Sequence, residues 1–202
     1  ATAWREEENG TRTPVGRRSA VMTAAEIISQ TALAQGYDVK KTEVAGMAQR
    51  GGVVTSHVRF GDRVFSPAIP DGEADILVGF EPAEALRWCA QLKPNAVAMV
   101  NRVRQEPPIV SFGLYEYPED PIGDMRKAGI NVHAFDAGEI ARGLGNFRLV
   151  NTVMLGAISD YLPFPAEVLK EAILERFRAR KPKLVDINKR AFEAGRAAEA
   201  AA

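Results

Sequence analysis

Three short apolar runs set the terms for any fold of this chain. They are "ADILVGF" at 74–80, "NAVAMVN" at 95–101 and "INVHAF" at 130–135. The first is a continuous apolar run, the mark of a strand covered on both faces, the second is a buried-looking strand, and the third reads as a further strand. The segments between them must supply the cover. Those segments read as helices. Pro82 suits a first helical turn, where its missing N–H does no harm. "PIGDMRKAG" is a short helix, and "DAGEIARGLG" is a helix capped by Asp136 and closed by Gly145. Strands alternating with helices predict an α/β fold, a Rossmann-like sheet flanked by helices, with a helical C-terminal segment.

The remaining segments fit around this frame. "AVMTAAEIISQTALAQG" repeats Val21, Ala24, Ala25, Ile28 and Ala32 at helical spacing and stops at Gly36. "YDVKKTEVA" is a strand. "VVTSHVRF" alternates, with Val54, Ser56, Val58 and Phe60 on one face and Thr55, His57 and Arg59 on the other. That pattern predicts a half-buried strand, followed by a "GDR" turn into a short second strand. The stretch from Arg102 to Pro121 holds four prolines and reads as irregular, with one short strand at "PIVSFG". The last third is helical: Leu169, Ile173 and Phe177 share one stripe, and Leu184, Ile187, Asn188, Ala191, Phe192 and Gly195 share another. The expected division is an irregular segment over 1–20, an α/β domain over 21–160, and C-terminal helices over 161–202 that pack on the domain or on a partner subunit.

Composition narrows the functions. Basic and acidic residues number 26 each, so no charge surplus advertises nucleic acid, and no apolar run approaches a membrane span. The expected location is cytoplasmic. The single cysteine, Cys89, can form neither an internal disulfide nor a multi-thiolate metal or iron–sulfur site. His57 and His133 both fall in strands, with no serine, cysteine or carboxylate pair at triad or metal-site spacing. There is no nucleophile elbow and no phosphate-binding P-loop. The chain by itself is not expected to catalyse a reaction, and no catalytic or metal-binding residue is assigned.

Two features stand out. "GMAQRGG", between two strands, sets an arginine beside glycines. Glycines let backbone N–H groups converge on an anion, and arginine supplies a permanent cationic fork. The competing reading is a tight connection whose arginine pairs with a local glutamate such as Glu43. Asn151 and Asn188 lie on otherwise apolar helices, where a buried amide must tie one element to another.

The same residues carry a family likeness. "EVAGMAQRGGVVTSHVRFGD", "ADILVGFEPAEALR", "NTVMLGA" and "NKRAFEAG" resemble the gamma-type subunit of 2-oxoacid:ferredoxin oxidoreductases, and within that group the indolepyruvate enzymes. The likeness runs from about Val21 to Gly195. It implies a site-completing or non-catalytic subunit of a complex that converts a 2-oxoacid and coenzyme A to acyl-CoA and CO2, passing electrons to ferredoxin. It implies a larger partner subunit that carries thiamine diphosphate, magnesium and iron–sulfur clusters and through which ferredoxin is reached, with no cofactor bound by this chain alone. It implies no nucleic-acid or membrane partner. By position, Gly46, Met47, Gln49, Arg50, Gly51 and Gly52 would be this chain's contribution to the shared cofactor and substrate region, with Arg50 as the anion-binding member.

One departure limits the likeness. Relatives begin with a buried strand and a Gly-x-Gly-Gly-Gln-Gly loop before the first helix. Here Val15–Ala20 read "VGRRSA", Gly16 falls out of register, and no apolar strand precedes them. The abrupt switch at Val21 marks a difference of reading frame or an altered N-terminus. The expectation is that the central strand and its loop are missing or badly formed, so no ligand role is carried over to that loop. Two other functions are weighed against the subunit reading: a free-standing nucleotide- or coenzyme A-binding module, and a purely structural assembly subunit.

Overall fold

The computed structural model of the chain describes residues 2–8, 18–45, 54–104, 116–178 and 181–202. The three apolar runs form β4 (Ala74–Gly79), β5 (Leu92–Asn101) and β6 (Asn131–Phe135), all mutually parallel. They join β1 (Thr2–Glu8), β2 (Asp38–Ala45) and β3 (Val54–Gly61) in a six-stranded sheet of order β2-β3-β1-β4-β5-β6. β3 is antiparallel to both of its neighbours, and β1 is parallel to β4.

Alternate residues of the parallel strands enter two different cores. Ile76, Val78, Val97, Met99 and Phe135 face α1 (Arg18–Ala34) and the C-terminal helices, whereas Leu77, Ala98, Val100, Val132 and Ala134 face α2 (Pro82–Trp88) and α3 (Pro121–Lys127). Burial on both faces explains why β4 and the second half of β5 are continuous apolar runs. The first core also takes in α4 (Ala137–Gly143), α5 (Val150–Ile158), α6 (Ala166–Arg178) and α7 (Val185–Ala200).

The helix boundaries follow local chemistry. Glu81 caps α2, Asp120 caps α3 and Asp136 caps α4, each accepting a backbone N–H three residues on, and Pro82 and Pro121 open the first two. Gly36 and Gly145 turn the chain after α1 and α4 with φ of 88° and 86°, a conformation that costs glycine nothing. α5 and α7 approach so closely that a Cβ on Gly156 would overlap the Phe192 carbonyl, and one on Gly195 would overlap the Val153 carbonyl. Asn188, 2 % exposed, accepts from the Thr152 hydroxyl at 2.7 Å and donates to the Leu184 carbonyl at 2.8 Å, tying α7 to α5.

Three expectations need correction. Residues 1–20 are not wholly irregular: β1 occupies the centre of the sheet, and α1 begins at Arg18. A slot between β3 and β4 has two rows of backbone groups to satisfy, and main-chain pairing makes no demand for an apolar side chain. β3 is not half-buried. Thr55 and His57, expected on the open face, are buried as well as Ser56, Val58 and Phe60, and residues 62–73 pass over that face at His57, where the Ile69 N–H bonds Nδ1 at 3.0 Å. Those covering residues form no second strand. The strand expected at "PIVSFG" lies outside the described residues.

Candidate functional site

One register line crosses the sheet and defines an edge. Ala45 of β2 pairs with Val54 of β3, and Val54 with Glu8 of β1. Glu7 pairs with Gly79 of β4, Gly79 with Val100 of β5, and Asn101 with Phe135 of β6. The carboxyl ends of five strands therefore lie side by side with the start of β3. In open α/β sheets this is the edge outside which ligands bind.

Gly46, Met47, Gln49, Arg50, Gly51 and Gly52 all lie outside the described residues. The flanking Ala45 and Val54 end the register line, so the connection starts and finishes at this carboxyl edge. Glu43, the alternative partner weighed for Arg50, has its carboxylate 3.1 Å from Lys41 Nζ, and Lys41 also reaches Glu26 at 2.8 Å.

The described part of the edge is held by two buried polar residues. Asn101, 3 % exposed, ends β5. Its amide donates to the Phe80 carbonyl at 3.2 Å and accepts from the Ala137 N–H at 3.0 Å. One side chain thus fixes the chain leaving β4 and the first turn of α4. Glu81, 1 % exposed, accepts from the Glu84 N–H at 3.0 Å and from the Tyr117 hydroxyl. Burial, reinforced by that hydrogen bond, pushes the Tyr117 phenol well above its ordinary range. The Arg104 guanidinium lies 4.0 Å over the Tyr117 ring. Gly79 lets α2 close on the strand end, since a Cβ there would sit 2.6 Å from the Ala85 Cβ.

Sequence reasoning singled out neither Asn101 nor Glu81. Asn101 had a readable signal, an amide ending an unbroken apolar strand run. Glu81 did too, an acid immediately before a proline that starts a helix. The partnership of Glu81 with Tyr117 spans 36 residues and leaves no periodic trace.

The histidines are engaged elsewhere. His57 is held as an acceptor by the Ile69 N–H. His133 Nδ1 lies 3.1 Å from Glu199 Oε1, which also accepts from the Tyr161 hydroxyl at 2.6 Å. Burial pushes the Cys89 thiol up, away from thiolate reactivity. Among the described residues no group of three or more His, Cys, Asp or Glu side chains is placed to hold a metal ion. No described helix is long and apolar enough to cross a membrane. The described part of this edge carries buried polar groups that fix its strand ends, with the Arg104 guanidinium over Tyr117 beside them.

Comparison with known proteins gives a consistent result. Residues 19–198 match the family described as pyruvate ferredoxin/flavodoxin oxidoreductase. The chain is 40 % identical over 185 residues to the indolepyruvate oxidoreductase subunit IorB of Archaeoglobus fulgidus, covering 90 % of each protein. It is 41 % identical over 182 residues to the protein of the same name from Thermococcus kodakarensis, covering 87 % of this chain and 88 % of the other. In structure it resembles the gamma subunit of a keto/oxoacid ferredoxin oxidoreductase from Geobacter sulfurreducens, with TM-score 0.68, 21 % identity and full coverage of both chains. It also resembles part of a 2-oxoglutarate:ferredoxin oxidoreductase from Magnetococcus marinus, with TM-score 0.72 and 18 % identity, covering all of this chain and 31 % of the other. These structural likenesses agree with the sheet and helix layers described above. The chain belongs to the pyruvate ferredoxin/flavodoxin oxidoreductase family.

Proposed function

We propose that this chain is the site-completing, non-catalytic subunit of an indolepyruvate or other aryl 2-oxoacid:ferredoxin oxidoreductase. The complex would convert the 2-oxoacid and coenzyme A to acyl-CoA and CO2, with the two electrons released passing to ferredoxin. The observation that carries this reading is the extent of likeness to proteins named indolepyruvate oxidoreductase subunit, about 40 % over nine-tenths of the chain. The donor set supports a division of labour. One cysteine in the whole sequence cannot hold an iron–sulfur cluster, so clusters, thiamine diphosphate and its metal belong on this reading to a larger companion subunit.

This chain's own part is then to bind and orient. The connection between β2 and β3 starts at the carboxyl edge, and Arg50 within it would supply a cation for the carboxylate or phosphate of a ligand held against the companion. Substitution in the reconstituted complex tests it. Arg50→Ala should raise the apparent KM for an anionic substrate or lower kcat, roughly 10-fold or more, while assembly stays intact. A change in assembly alone would favour a purely structural subunit. Turnover of a 2-oxoacid by the isolated chain with an artificial electron acceptor would overturn the division of labour. Tight calorimetric binding of coenzyme A or a dinucleotide by the isolated chain would favour a free-standing binding module.

A further inference from the structure

The corner where α6 passes into α7 is charged out of proportion to the molecule. Residues 176–190 include seven basic residues, Arg176, Arg178, Arg180, Lys181, Lys183, Lys189 and Arg190, against one acid, Asp186. The whole chain has 26 of each sign, so the remainder carries 19 basic and 25 acidic residues. Neutrality overall conceals a polar molecule with one strongly cationic corner.

Four of these cations are not consumed by ion pairs among the described residues. Arg178 is answered by Glu171 at 2.8 Å and Glu175 at 2.9 Å, and Arg176 reaches Gln30 at 3.4 Å. Lys181, Lys183, Lys189 and Arg190 are exposed and have no ion-pair partner among the described residues. Their backbone is firmly held. The Lys181 N–H bonds the Phe177 carbonyl at 2.7 Å, the Leu184 N–H bonds the Lys181 carbonyl at 2.9 Å, and buried Asn188 anchors the first turn of α7 to Thr152 and Leu184. Half-buried Leu184, Val185 and Ile187 lie between the cations. The corner is a fixed display of charge with apolar contact area inside it.

We propose that this corner docks onto an acidic face of the companion subunit, a proposal that rests on the subunit reading above. Cations spread over a helix–helix corner match a broad acidic protein surface. A small anion needs donors converging in a recess. Opposite charge on the partner relieves the repulsion among the four unanswered cations, speeds encounter and fixes orientation, and it makes assembly sensitive to salt.

The test uses the co-expressed complex. Lys183→Glu, Lys189→Glu and Arg190→Glu are combined in one variant, the three alanine substitutions in a second, and Lys127→Glu on α3 serves as a distant control. Thermal melting of each isolated chain reports folding, and sedimentation with the companion gives Kd across a salt series. The expected result is a Kd raised about 100-fold by charge reversal and about 10-fold by alanine at low salt. Wild-type affinity should fall at least about 10-fold between roughly 0.1 and 0.5 M salt, and the control should leave Kd unchanged. If the reversed chain does not fold, the alanine variant decides. Companion binding that is indifferent to these substitutions overturns the proposal. So does intact assembly with a raised KM for the electron carrier, which would assign the corner to that carrier. Absence of any companion for the wild-type chain would instead sink the subunit reading itself.

Discussion

Two tyrosines show how single residues couple the fold to pH. Tyr161 donates to Glu199 on the last turn of α7, and Tyr117 donates to Glu81 at the carboxyl edge. In both, burial is the larger cause and the carboxylate the next, and both raise the phenol above its ordinary value of 10.0. A folded-state pKa above the unfolded one means that the native state holds the proton longer. The stabilisation is complete below pH 10 and drains away as pH rises beyond it. Phenolate absorbance should therefore develop at higher pH in the native protein than in the unfolded chain, and Tyr161→Phe should flatten the alkaline loss of stability. Coincident native and unfolded titration curves would contradict this.

At the scale of elements, the pairing of α5 with α7 is the most demanding contact. Gly156 and Gly195 admit the backbone of the opposite helix, and a Cβ at either would overlap a carbonyl group there. Rigid main chain cannot yield as a side-chain tip can, so Gly195→Ala should cost about 3 kcal/mol. Gly143→Ala, on the exposed end of α4 with nothing within 4 Å of the added carbon, should be neutral or stabilising by about 0.5 kcal/mol. Urea unfolding of the two variants side by side checks both. Equal stability would mean that the helices can separate without penalty.

These elements also explain what could be read beforehand. β4 and the second half of β5 were legible because burial on both faces writes itself into consecutive residues, and Asn188 because an amide on an apolar stripe must find partners. β1 was not legible, since "TAWREEE" shows neither alternation nor an apolar run and its place rests on main-chain pairing. Thr55 and His57 looked exposed because nothing local records that a later residue, Ile69, will bond His57 from that face. For the site, the sheet edge was implicit in the alternation of strands and helices. The contacts that hold it, Asn101 to Phe80 and Ala137 and Tyr117 to Glu81, join residues far apart in the chain.

At the scale of the whole molecule, β1 is the one strand among the described residues that joins two half-sheets by main-chain pairing. β3 and β4 both pair with β1 and not with each other, so the hydrogen-bonded ladder between β2-β3 and β4-β5-β6 runs through it. Removing residues 1–17 should raise hydrogen exchange in β3 and β4 together while α5 and α7 stay protected. Exchange that changes in one half alone would mean that the halves hold together by other means. The same arrangement sets a timetable. β1 leaves the ribosome roughly 45 to 70 residues ahead of the strands that flank it, an interval of about 2 to 14 seconds at ordinary synthesis rates. The central strand is made before both of its neighbours, and until they follow the nascent chain carries an unpaired strand that a chaperone, or another nascent chain, can reach before its own sheet does.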